Sequence, residues 1–125
     1  MVFAGFSSDV RLKKGWQFDL VFRTGRREKG ALVRLFFVKA EGVHTQVGVA
    51  VGRKVANSVG RSRGKRVLRE SLRRLLPHVK DGYQMVVSLR ETGLGVNAKL
   101  IYRDLSRLFV RCDLIKQDES VPLWQ

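Results

Sequence analysis

Residues 47–76 read VGVAVGRKVANSVGRSRGKRVLRESLRRLL, and their reading decides the fold. The first five alternate: Val47, Val49 and Val51 point to one side, Gly48 and Ala50 to the other. That period of two predicts a strand over 46–51. From Ser58 the period changes. Leu68, Leu72, Leu75 and Leu76 fall within one narrow arc at about 100° per residue, which predicts a helix over 58–76, stopped by Pro77. A strand followed by a helix with one apolar stripe calls for a sheet with a helix packed on it. The small face of the strand leaves two readings open, a close ligand backbone or a covering helix.

Working outward, residues 31–39 (ALVRLFFVK) read as another strand. Ala31, Val33, Leu35 and Phe37 share one face; Leu32, Arg34, Phe36 and Val38 share the other. The charge of Arg34 predicts that the second face is only partly covered. Residues 83–89 (YQMVVSL) are a further strand. A first helix starts near Ser8 or Lys14 and ends before Gly25, with Phe18 and Phe22 on one face. The basic stretch 26–30 is a turn or a short edge strand. Asn97 is the expected N-cap of a last helix over 98–112, whose stripe is Leu100, Ile101, Leu105, Leu108 and Phe109. The order of helix, two or three strands, helix, strand, helix predicts helices over one mixed sheet. Residues 1–116 are expected as a single domain and residues 117–125 as a loose tail.

The 125 residues carry 25 Lys plus Arg against 11 Asp plus Glu, a net charge of +14. Such an excess points to a polyanionic partner, nucleic acid or an anionic membrane surface. No apolar run approaches the roughly 18 to 20 residues that span a bilayer. The N-terminal order, apolar before charged, is the reverse of a secretory signal, so a cytoplasmic protein is expected. The single cysteine, Cys112, excludes an internal disulfide and a multi-cysteine zinc site.

The excess is concentrated. Arg53, Lys54, Arg61, Arg63, Lys65, Arg66, Arg69, Arg73 and Arg74 lie within 22 residues, with Glu70 as the only acid. Like charges four apart on a helix repel, and a solvated face normally mixes signs. Arginine predominates, and its planar fork grips phosphate oxygens in pairs. A membrane-surface helix would favour lysine and carry Trp or Phe on its apolar face. This stripe is leucine and committed to the core, so RNA or DNA is the preferred partner.

The string GRSRGKRVLRESLRRL, preceded by VGVAVGRKVANSV, resembles the signature of the bacterial ribonuclease P protein subunit. Arg61, Arg63, Lys65, Arg66, Arg69 and Glu70 match its pattern, and Gly48, Lys54, Asn57 and Val59 match the approach to it. Ser62 stands where the family usually has Asn. Residues 11–27 (RLKKGWQFDLVFRTGRR) are similar to the family's N-terminal segment, with Phe18, Val21, Phe22 and Gly25 in register. The resemblance covers about residues 8–112. It implies an α+β fold, a two-layer α/β sandwich of order αβββαβα whose mixed sheet is similar to a domain of ribosomal protein S5. It also implies a protein that assists the catalytic RNA of ribonuclease P in removing the 5′ leader of precursor transfer RNA. The RNA would carry the chemistry with Mg2+, and no cofactor would be bound by the protein alone. A monomer within the complex is expected.

The resemblance divides the site in two. Arg53, Lys54, Asn57, Arg61, Arg63, Lys65, Arg66, Arg69 and Arg73 are expected to hold the catalytic RNA. Lys14, Phe18, Phe22, Arg34 and Phe36 are expected to line a cleft for the single-stranded leader. Aromatic platforms beside positive charge suit unpaired bases. The residues themselves leave Phe18 and Phe22 open between platform and core, and Trp16 open between surface and core edge. No catalytic group is expected in the protein: His44 and His78 have no carboxylate cluster beside them, and the acids are scattered. The competing reading is a ribosomal-type structural RNA-binding protein.

Overall fold

The computed structural model describes residues 10–124. The elements run α1 (Gly15–Thr24), β1 (Arg26–Lys29), β2 (Val33–Lys39), β3 (Gln46–Ala50), α2 (Ser58–Leu75), β4 (Tyr83–Leu89) and α3 (Ala98–Arg111), the expected αβββαβα order. Short 3-10 turns occupy Leu76–His78 and Glu91–Gly93. The reading of the N-terminal charge order, and the earlier of the two starts for α1, fall on residues outside those described.

Alternation in the strands builds one mixed sheet of order β1-β2-β4-β3. β1 with β2 and β2 with β4 are antiparallel; β3 with β4 is parallel. Val33, Leu35, Phe37, Val47, Val49, Met85, Val87 and Leu89 face one way and meet the stripes of α2 and α3. Leu68, Leu72 and Leu75 of α2 are fully enclosed there. Each such leucine contributes about 1.5–3 kcal/mol by leaving water. α1 crosses the opposite face over a smaller cluster of Leu12, Val21 and Val86 and covers that face only in part.

Gly64 lets α2 come down onto the sheet. It lies four residues before Leu68 on the same stripe, and a Cβ there would stand 3.0 Å from Val51 and 3.1 Å from Leu89. Gly48 does the same for α1: its missing Cβ leaves the space that the Phe18 ring fills. Of the two readings of the small face of β3, the covering helix is the one found.

Three sequence expectations change. β2 begins at Val33 rather than Ala31, because the α3 carboxylate of Asp104 accepts the backbone N–H groups of Ala31 (3.1 Å), Leu32 (2.7 Å) and Val33 (3.1 Å) and holds them in a turn. Leu100 is 40 % exposed. It lies five residues from Leu105, about 140° round the helix, and buried Tyr102 takes part in the core there instead. The tail, expected to be loose, is docked through Trp124. The Tyr102 hydroxyl donates to the Pro122 carbonyl (2.6 Å), and the Trp124 ring lies against Tyr102 (5.5 Å) and under the Arg74 guanidinium (3.8 Å). Its apolar residues Val121 and Trp124 pack on the main core, which a count of acids and prolines does not register.

Candidate nucleic-acid interface

α2 starts where its cap sets it. The Asn57 side chain accepts the Gly60 N–H (2.9 Å), leaving Arg53 and Lys54 exposed in the turn before. Arg61 folds back: its guanidinium donates to the Ala56 carbonyl (3.0 Å) and reaches Ser58 Oγ (3.4 Å). It braces the entry to the helix as much as it faces outward. Ser62 is exposed and makes no cap, because Asn57 already does. Arg63, Arg66 and Arg69 are exposed and Lys65 is half-exposed. Among the described residues no hydrogen bond or ion pair engages these four.

The C-terminal end of the row differs. Arg73 donates to Glu70 Oε2 at 2.7 Å, and Arg74 stands 3.6 Å from the same oxygen. The Arg73 hydrogen bond, reinforced by both positive charges and opposed by partial burial, holds the Glu70 carboxyl below its ordinary range. The expected site residues thus separate into a forward group with open donors, Arg63 to Arg69, and Arg73, which is already engaged by an acid.

On the other face, Lys14 caps α1, and its N–H donates to Gln17 Oε1 (2.9 Å). Phe18 sits over Gly48, and Phe22 meets Phe36 edge to face with centroids 4.8 Å apart. All three rings are half-buried, so each supports α1 and keeps part of its surface open. Arg34 is exposed on the same strand face as Phe36. Trp16 is 64 % exposed and belongs to the surface. The structure therefore gathers the five expected cleft residues along α1 and the adjoining sheet face, and sets the α2 row off the opposite face.

Sequence reasoning missed Arg27. It pairs in register with Phe36, and its guanidinium lies 5.9 Å over that ring. The signal was the alternation of 26–29, legible only once the edge strand and its register are known. Gly64 and Asp104 were missed as well, since each acts through a partner far along the chain.

Several of the acids are already engaged. Glu28 pairs with Arg26 (2.8 Å) and Arg111 (3.4 Å), Glu119 with His78 (2.8 Å), and Asp113 with Lys80 (3.2 Å). Among the described residues no three His, Cys, Asp or Glu side chains gather as metal ligands. Burial pushes the Cys112 thiol up, away from the reactive thiolate. The arrangement suits binding: open guanidinium groups for phosphate, half-open rings beside charge for bases. No helix among the described residues is long and apolar enough to cross a membrane.

A family model described as Ribonuclease P matches residues 6–113. The ribonuclease P protein component of Symbiobacterium thermophilum is 36 % identical over 110 residues, covering 86 % of this chain and 95 % of that protein. The solved ribonuclease P protein of Thermotoga maritima superposes with a TM-score of 0.71 at 27 % identity, covering 81 % of this chain and 96 % of the other. That of Staphylococcus aureus gives a TM-score of 0.74 at 19 % identity over 86 % of this chain and 98 % of the other, a likeness of fold.

Proposed function

Since the chain belongs to the ribonuclease P protein family, and is thereby the protein component of a transfer-RNA-processing ribonucleoprotein nuclease, we propose a division of labour between the two faces of its sheet. The α2 row binds the catalytic RNA. Arg63, Lys65, Arg66 and Arg69 present open donors to phosphate, Arg53 and Lys54 extend the row before the helix, and Arg61 and Asn57 fix the start of α2 so that the row is held in place. Arg73 joins through whatever donor capacity Glu70 leaves. The α1 face binds the single-stranded leader of precursor transfer RNA, with bases against Phe18, Phe22 and Phe36 and backbone charge met by Lys14 and Arg34.

The protein's own part is to bind and orient. Cleavage belongs to the RNA, and Mg2+ would supply the nucleophile and charge stabilisation there. Among the described residues the acids do not gather into a donor set for that ion: Asp104 accepts from three N–H groups, Glu28 and Glu70 pair with arginines, and Glu119 lies against His78. The observation that carries this reading is the open, one-signed stretch from Arg63 to Arg69 on a helix whose other face is wholly committed to the core.

The test is reconstitution of the full chain with a bacterial ribonuclease P RNA and a precursor transfer RNA at low Mg2+. Leader removal that depends on added protein is the expected result. Failure to bind that RNA, with capture of ribosomal RNA from a lysate instead, would replace this reading with a ribosomal one.

A further inference from the structure

α3 carries a second row of cations that the α2 motif does not account for. Lys99, Arg103 and Arg107 recur every four residues, and all three are exposed. At 1.5 Å per residue, successive members stand about 6 Å apart along the axis. Arg111 continues the row and is tied to Glu28 (3.4 Å) and the Lys29 carbonyl (3.2 Å). Among the described residues no hydrogen bond or ion pair engages Lys99, Arg103 or Arg107. The only acid of the helix gives no relief, because Asp104 is buried and turned onto the β1–β2 turn. Like charges four apart oppose the helix that carries them, so the row does nothing for the fold.

Its position says which polyanion it faces. α2 and α3 lie side by side in one layer, joined where Ser71 Oγ donates to the Ala98 carbonyl (3.0 Å). Trp124 sits between them, against Arg74 of α2 and Tyr102 of α3. By azimuth, Arg66 points outward from α2 about 160° from Leu68, and Arg103 points outward from α3 about 160° from Leu105. The aromatic cleft lies on the far side of the sheet, under α1.

We propose that the α3 row is a second backbone contact for the same RNA subunit that the α2 row is read to bind, holding a separate strand segment of it. The proposal rests on that reading. Packed helices stand about 8–10 Å apart, so a strand laid along one row does not lie along the other. Contacts of this kind position the RNA without reading its sequence.

The experiment measures affinity of the full chain for the RNA subunit across a salt series. Arg103→Gln/Arg107→Gln is compared with Arg23→Gln/Lys39→Gln, a charge-matched pair away from both rows, and with Arg63→Gln/Arg66→Gln on α2. Each neutralised phosphate contributes about 0.9 to the slope of log affinity against log salt on duplex. The α3 pair should flatten the slope by about two, the control pair by far less, with thermal melts no lower than wild type. If the α2 pair loses affinity while the α3 pair tracks the control, the α3 proposal alone fails. If all three track wild type, the shared reading fails with it. A loss for precursor transfer RNA with unchanged affinity for the RNA subunit would also overturn it.

Discussion

The Phe22 and Phe36 rings meet edge to face, centroids 4.8 Å apart and planes at 82°, and the Arg27 guanidinium lies 5.9 Å over the Phe36 ring. Phe36 thus touches both the helix that partly covers the sheet and an edge-strand cation, with part of its ring open. That makes it the sharpest probe of the proposed leader cleft. Stacking of a base on an aromatic ring contributes about 1–3 kcal/mol, so Phe36→Leu, which keeps most of the apolar packing against Phe22, should weaken precursor binding about 5- to 150-fold. Mature transfer RNA lacks the leader and should bind unchanged. The measurement is paired affinity of the assembled complex for both ligands. Equal losses would make Phe36 an ordinary sheet residue.

Arg63→Ala and Arg66→Ala should each weaken assembly with the RNA subunit and leave the melting temperature within about 1 °C, because neither guanidinium has a partner among the described residues. The salt slope should fall by about 0.9 for each phosphate left without its arginine. Binding that ignores salt would refute phosphate as the ligand.

Sulfate should raise the melting temperature of the free protein above that in chloride at matched ionic strength. The net charge of +14 repels itself, and an anion that binds only the folded basic face stabilises it by mass action. Superimposable melting curves would mean that the free protein holds no specific anion.

Glu70 gives a pH signature. Its carboxyl is held below the ordinary value, mainly by the Arg73 hydrogen bond, so the folded state favours the ionised form. The stabilisation is present above the unfolded-state value and disappears as pH falls through the lowered folded-state value. The carboxylate is more than a third exposed, so the contribution stays within about 1 kcal/mol. Glu70→Gln should melt below wild type at pH 7, and the gap should close on acidification. A gap independent of pH would point to packing rather than charge.

Asp104→Ala should be the most destabilising of these changes. It strands three backbone N–H groups at the start of β2, at a cost of about 3 kcal/mol or more. Asp104→Asn should cost less, since its side-chain carbonyl still accepts. Denaturant melts separate the two: an Asn midpoint equal to that of Ala would mean that the carboxylate charge, and not an acceptor alone, holds the turn.

What the sequence discloses follows the range over which each signal acts. β4 was legible to the residue, because Tyr83 to Leu89 is a short, mostly apolar run bounded by turn residues. Asn97 as a cap was legible because its partner, the Leu100 N–H, is three residues away. Asp104 was not, because its partners lie more than 70 residues earlier. Gly64 reads as a weak helix former until Val51 and Leu89 are seen beneath it. The tail misled for the same reason: Trp124 has no periodicity, and its packing against Tyr102 and Arg74 exists only across the helical layer. In the candidate site, the α2 row was legible as local charge, whereas the engagement of Arg73 by Glu70 and the place of Arg27 needed geometry.

The strand order has a consequence for synthesis. β4 lies between β2 and β3, yet it is encoded after both. A nascent chain that ends before Tyr83 can pair β1 with β2, but β3 has no neighbouring strand and β2 presents a bare inner edge. The basic segment that includes α2 emerges in that interval, before the sheet that seats its leucines is complete. Unpaired edges of this kind invite pairing with other chains, and here a high positive charge on the same stretch keeps such chains apart. The arginines that point outward in the finished protein therefore also act as electrostatic spacers for its unfinished form.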